Sequence, residues 1–228
     1  MEKEHIVRAY DDDLKEIQGK VLDLGAACIN QLNNTIEALT NRDTHLAKLT
    51  VKADSKVNIL QHEVDELSVK LLATRQPVAG DLRNVISGLR ISTDLERIAD
   101  YAANIAQVVL DIKDSEVTQS MMLLTQMCEI ALDMLKKSVE AYKKMDVELA
   151  IEVWHEDSRL DATYSTLLDQ LRNCMTDNIS TIDSCTQLIY GARSCERMGD
   201  HITNVVESIY YIRTGEMYRG EKGEDDRH

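Results

Sequence analysis

The stretch Glu96-Arg97-Ile98-Ala99-Asp100 returns one hundred positions later as Glu196-Arg197-Met198-Gly199-Asp200. The match widens to DLERIADYAANIA, beginning at Asp94, against SCERMGDHITNVV, beginning at Ser194, and sets Asn104 against Asn204. A repeat of this length marks two copies of one structural unit. Both copies sit in long helical patterns, where a Glu and an Asp four apart face the same side. Like charges so placed repel by roughly 0.2–0.5 kcal/mol in a plain helix, so the spacing asks for a cation.

Composition sets the class. One Pro (Pro77), no Phe and nine Gly among many Leu, Ala, Glu, Asp and Lys describe a nearly all-helical chain. A formal charge of -14 argues against nucleic-acid binding, which needs basic patches, and favours cations or basic partner surfaces. No apolar run approaches the roughly 18 residues of a membrane span, and no signal-peptide core follows Met1, so a cytoplasmic location is expected. The five cysteines, with no C-x-x-C pair, fit reduced thiols acting as small buried hydrophobes.

Six helices are expected: residues 13–39, 41–75, 78–112, 117–145, 146–175 and 179–213. In the second, Leu46, Thr50, Ala53, Val57, Leu60, Val64, Leu67 and Leu71 step by four and three, an amphipathic stripe. Gln76-Pro77 breaks the pattern, because Pro cannot continue the hydrogen-bond ladder but can open the next helix. Lys113-Asp114-Ser115-Glu116 separates the halves. Asp43 and Asp146, aligned with each other, are expected at helix N-termini, where free N–H groups favour them. Asp54-Ser55-Lys56 aligns with Asp157-Ser158-Arg159. The plan is a first three-helix bundle over 1–113, a second over 114–220 and a charged tail over 221–228.

On a heptad, Leu82, Leu89, Glu96, Ala103 and Leu110 share one seam position of the third helix; Val85, Ser92, Ala99 and Ala106 share the other. The sixth helix repeats this with Ile182, Ile189, Glu196, Thr203 and Tyr210, and with Cys185, Ala192, Gly199 and Val206. Each Glu is thus expected in an apolar stripe among small residues, which is costly unless it is paired, protonated or bound to metal. Asp54, Asp157 and Asp161 can face the Glu/Asp pairs across a helix junction. With Asn104 or Asn204 the donors are all oxygen, a set suited to Mg, Ca, Mn or Fe; His155 and His201 can add nitrogen in the second half. The competing reading pairs Glu96 with Arg97 or Arg90, and Glu196 with Arg193 or Arg197, as surface salt bridges. Trp154 and Tyr164 are expected to pack, and Gly191 and Gly199 to allow close helix approach. No phosphate-binding glycine loop or nucleophile elbow occurs.

The strings LLATRQPVAGDLR (71–83), LRISTDLERIADYAANIAQVV (89–109) and YGARSCERMGDHITNVVESIYYIRTGE (190–216) resemble the PhoU family of phosphate-signalling regulators. The resemblance covers nearly the whole chain. It implies two three-helix bundles, each able to carry a metal cluster on E/DxxxD motifs, and a non-enzymatic role. That role is to restrain the phosphate-starvation response through a sensor histidine kinase and the ATP-binding subunit of the phosphate ABC transporter, with a homodimer expected. Carried over by residue, Glu96 and Asp100 match one ExxxD motif and Glu196 and Asp200 the other. Asp157 and Asp161 fill the helix-two motif of the second half, whereas the first has Asp54 followed by Asn58. The implied cofactors are divalent or trivalent ions (iron, manganese, magnesium or zinc), singly or as a multinuclear cluster. Two other functions compete: an accessory regulator of a different phosphate carrier, and a ferritin-like di-iron carboxylate enzyme. The di-iron class needs Glu-x-x-His pairs from two helices facing one another, and here that spacing occurs at Glu2–His5 and Glu152–His155. A helical adaptor whose acids are merely solvated is the third alternative.

Overall fold

The computed structural model describes residues 2–75, 77–112, 117–218 and 220, with side chains from residue 12 onward. Gln76, the Lys113–Glu116 linker, the 221–228 tail and the side chains of Glu2 and His5 lie outside that description. Six long helices follow one another: α1 Glu2–Asn41, α2 Thr44–Arg75, α3 Gly80–Asp111, α4 Thr118–Lys144, α5 Val147–Asp177 and α6 Ile182–Thr214. At a rise of about 1.5 Å per residue, most of them span roughly 45 Å. The first begins well before residue 13, because EKEHIVRAYDDD continues the helix without an apolar stripe to announce it.

The two halves share their punctuation. The α1–α2 turn passes through Arg42 and the α4–α5 turn through Met145, both left-handed, with φ 51° and 52°. The next residue caps the following helix in each half. Asp43 Oδ1 accepts from the His45 and Leu46 amides at 2.9 and 3.0 Å, and Asp146 Oδ1 from the Leu149 amide at 3.1 Å. Each cap satisfies N–H groups that the helix itself leaves free, worth about 1 kcal/mol. Between α5 and α6, Asn178 stops one helix and its Oδ1 accepts from the Ser180 amide at 3.0 Å, holding a 3₁₀ turn at Ile179–Thr181.

Within each half three helices pack together. Across the halves, α1 lies on α4 and α3 on α6. Among the described residues α2 meets only α1 and α3, and α5 only α4, α6 and the 3₁₀ turn. The inner four helices therefore bury wide arcs, while α2 and α5 bury narrow stripes. In α2 the fully covered positions are Thr50, Val57, Val64 and Leu71, every second rung of the expected stripe, together with Ala47 and Ser68 beside it. In α5 they are Ala150, Val153, Leu160, Leu167 and Leu171. Each large aliphatic side chain so buried contributes about 1.5–3 kcal/mol. Among the described residues, no helix is long and apolar enough to cross a membrane.

Candidate functional site: two carboxylate clusters on the outer helix pairs

The packing corrects the expected seam. In α3 the buried arc holds Val85, Ile91, Ser92, Leu95, Ile98, Ala99, Ala102, Ile105 and Ala106, and in α6 it holds Cys185, Leu188, Ala192, Cys195, Met198, Gly199, Ile202 and Val206. Leu82 and Ile182, placed in the same seam as the acids, are exposed at 39% and 41%. Glu96 and Glu196 thus stand on the shoulder of the arc, with side chains 21% and 26% exposed. The displacement arises because α3 and α6 pack on each other as well as within their bundles, which turns the arc toward the partner helix. The acids are left at the edge facing α2 and α5.

That edge assembles the expected residues into two clusters. In the first bundle Asp54 of α2 lies against Asp100 and near Glu96 of α3. In the second, Asp161 of α5 lies near Glu196 and Asp200 of α6. Asp157 leans over Gly199: a Cβ at that glycine would stand 2.6 Å from Asp157 Oδ1 and 2.6 Å from Leu160 Cδ2. Gly199 therefore admits the carboxylate, whereas its counterpart Ala99 carries a methyl at the matching position. Asp54 instead engages Gln31 of α1, whose Nε2 lies 3.3 Å from Asp54 Oδ1 and 3.0 Å from the Ala99 carbonyl.

Burial raises the carboxyls of Asp54, Glu96, Asp161 and Glu196 above their ordinary values, and the facing carboxylates add to the shift. Arginine one residue on answers part of this charge. Arg97 lies 3.6 Å from Glu96 and 3.1 Å from Asp100; Arg197 lies 3.7 Å from Glu196 and 3.2 Å from Asp200. The competing salt-bridge reading thus describes real contacts. They are half exposed, however, and pairs of this kind contribute at most about 1 kcal/mol. Among the described residues, no three Asp, Glu, His or Cys stand in a metal-ligating arrangement. The donor chemistry nevertheless fits a hard cation: every carboxylate is oxygen, and Asn58 Oδ1, one turn from Asp54, is buried without a hydrogen-bond partner.

Several expected contributors go elsewhere. His201 Nδ1 meets Asp94 Oδ1 at 2.8 Å, and Asn204 Nδ2 lies 3.3 Å from the same oxygen, so both join α6 to α3 across the halves. His155 packs edge-on against Trp154, with ring centroids 5.2 Å apart, and Trp154 Nε1 reaches Glu207 at 3.2 Å. Asn104 is exposed. Gln31 is the participant that sequence reasoning missed. It belongs to a row on α1 in which Cys28, Gln31 and Thr35 donate to the carbonyls of Leu95, Ala99 and Ala102 at 3.1, 3.0 and 3.0 Å. The cysteines are free thiols, four of them buried.

Two sequence-related three-helix bundles, packed side by side and each carrying acids on its outer helix pair, define a tandem helical-bundle protein. The PhoU domain model matches residues 21–109 and again 124–209. The chain belongs to the PhoU family. It is 32% identical over 227 residues to a phosphate-specific transport system accessory protein PhoU homolog of Rhizobium meliloti, covering 99% of this chain and 96% of that one. Its fold is similar to the crystal structure of the phosphate transport system regulatory protein PhoU from Streptococcus pneumoniae, with a TM-score of 0.86 and 30% identity over 92% of this chain and 99% of the other. PhoU from Pseudomonas aeruginosa is similar at a TM-score of 0.84 and 28% identity, covering 91% of this chain and 100% of the other. As a member of this family the chain is a regulatory protein of phosphate homeostasis and not a catalyst.

Proposed function

We propose that this chain is a cytoplasmic adaptor that restrains phosphate uptake and the phosphate-starvation response, and that it carries one cation site per bundle. The observation that supports it most is the repetition of the acidic edge, with Asp54, Glu96 and Asp100 gathered in one half and Asp157, Asp161, Glu196 and Asp200 in the other. A hard cation such as magnesium, manganese or iron, alone or in a cluster, would neutralise each set and pull α2 onto α3 and α5 onto α6. Zinc, the softest of the expected ions, fits a set of carboxylate oxygens less well. The partners in this reading are a sensor histidine kinase and the ATP-binding subunit of the phosphate ABC transporter, so the membrane is met only through them, and the chain acts as a homodimer.

The mechanism is binding without bond making. Cation occupancy fixes the spacing of each outer helix, and a partner that recognises one spacing selects it. Deleting the gene should switch on phosphate-scavenging genes in phosphate-replete cells, read with a transcriptional reporter. A reporter that stays silent would point to a different phosphate carrier.

A further inference from the structure

The two cation sites of this reading are not equivalent copies, and the difference lies on α1. Counting back from the matched left-handed turns at Arg42 and Met145, Gln31 of the first bundle corresponds to Met134 of the second. Met134 is fully buried and apolar. Gln31 is also buried, at 4% exposure, but its amide abuts Asp54 and its Oε1 is covered without any hydrogen-bond partner. The same count sets Asn58, with its own buried and unpartnered Oδ1, against Asp161. A covered amide oxygen with no donor costs about 1–3 kcal/mol. The Gln31 amide nitrogen touches one member of the acidic cluster, Asn58 lies one helical turn from the same residue, and both amides stand where the second bundle has a thioether or a carboxylate.

We propose that Gln31 and Asn58 are ligands of the first-bundle site, completing with Asp54, Glu96 and Asp100 a mixed amide–carboxylate site for a single hard divalent cation. The second bundle, with four carboxylates and no amide, is the more highly charged site. A cation on Asp54 takes over the carboxylate that now accepts from Gln31 Nε2 and gives the unpartnered Oε1 a positive partner. Asn58 Oδ1 gains the same partner from α2. Neutral oxygens lower the net charge of the set without lowering its oxygen count, so the first site binds one divalent ion more weakly than the second.

This inference rests on the cation sites proposed above, and the test separates the two. Manganese binding is measured by calorimetry on the full chain and on the full chain carrying Glu196→Gln with Asp200→Asn, which leaves only the first site. In that background Gln31→Met, which copies the second bundle, should weaken binding about tenfold. Gln31→Glu should tighten it, because an oxygen and a charge remain even though the donor to the Ala99 carbonyl is lost. A Gln31 that served only to hold α1 on α3 would be damaged by both changes alike. Equal weakening by Met and Glu, or no effect of either, overturns the ligand assignment while second-site binding survives in the otherwise unaltered chain. Absence of manganese binding in the unaltered chain overturns the cation sites and this inference together. Asn58→Asp, which leaves the α1–α3 contacts intact, should tighten the first site, and a weakening or no change there also counts against it.

Discussion

Replacing Gly199 by Ala tests the close approach of α5 to α6. The new methyl would stand 2.6 Å from both Asp157 Oδ1 and Leu160 Cδ2, well inside contact distance, and Leu160 is fully buried and has little room to retreat. Overpacking of this kind costs about 1–3 kcal/mol. Against it stands the helix preference for Ala over Gly, about 0.8–1 kcal/mol. Gly19→Ala isolates that second effect, because Gly19 lies within α1 and a Cβ there meets nothing within 4 Å. Gly19→Ala should therefore raise Tm by about 2–4 °C, and Gly199→Ala should lie below it by about 1–3 kcal/mol, or roughly 2–12 °C. Thermal and urea unfolding followed by far-UV circular dichroism give both numbers. Because the methyl pushes Asp157 off its seat, Gly199→Ala should also weaken cation binding in the second bundle alone. Equal stabilisation by the two substitutions would refute the account of how Gly199 admits Asp157.

Asp43→Ala and Asp146→Ala each remove a helix cap and should each lower stability by about 1 kcal/mol, or about 2–4 °C in a thermal melt. Their effects should add, since the two turns belong to different bundles; marked non-additivity would argue against independent caps. Stability without metal should depend on pH in a definite direction. Asp54, Glu96, Asp161 and Glu196 have carboxyls raised by burial, so between the unfolded and folded values the native chain binds the extra protons. Their contribution is fully present below the unfolded values and is lost as pH rises through the folded ones. Melts of chelator-treated protein from about pH 4 upward should show that loss, after allowance for the remaining carboxylates through the Glu196→Gln, Asp200→Asn variant. Manganese at a hundredfold excess over its Kd should add about 2.7 kcal/mol, more at about pH 7 than at about pH 5, because protons compete for the same oxygens. A gain that is independent of pH would place the ion elsewhere.

Most of the fold was legible because its signals are local. Pro77 and the aligned Asp43 and Asp146 marked helix boundaries, and Thr50, Val57, Val64 and Leu71, seven apart within the stripe, marked the inward face of α2. The duplicated ExxxD placed the acids on matching helices, and Asp54 lies near Glu96 and Asp100 in one half as Asp161 lies near Glu196 and Asp200 in the other. What escaped depends on packing between halves. A two-position heptad cannot describe α3 and α6, which bury a wide arc against several neighbours, so Glu96 and Glu196 were set too deep. His201 sits one residue from Asp200, yet its ring turns to Asp94 across the halves, and spacing along one helix carries no sign of that. Gln31 gave no warning either, being one of two polar residues, with Thr35, on the buried face of α1. Its meaning comes only from Asp54 and the Ala99 carbonyl beside it. The turns at Arg42 and Met145 are left-handed without the glycine that usually announces such a cap.

Elemental analysis of bound metal tests the central claim most directly. Equal amounts of the unaltered chain, of Glu196→Gln with Asp200→Asn, of Glu96→Gln with Asp100→Asn, and of all four changes together are loaded with manganese or ferrous iron and freed of excess. The unaltered chain should hold metal in both bundles, each pair of substitutions should remove the share of its own bundle, and the fourfold variant should hold none. Equal metal in all four proteins, or none in any, would contradict the account and leave the acids as partners of Arg97 and Arg197 alone.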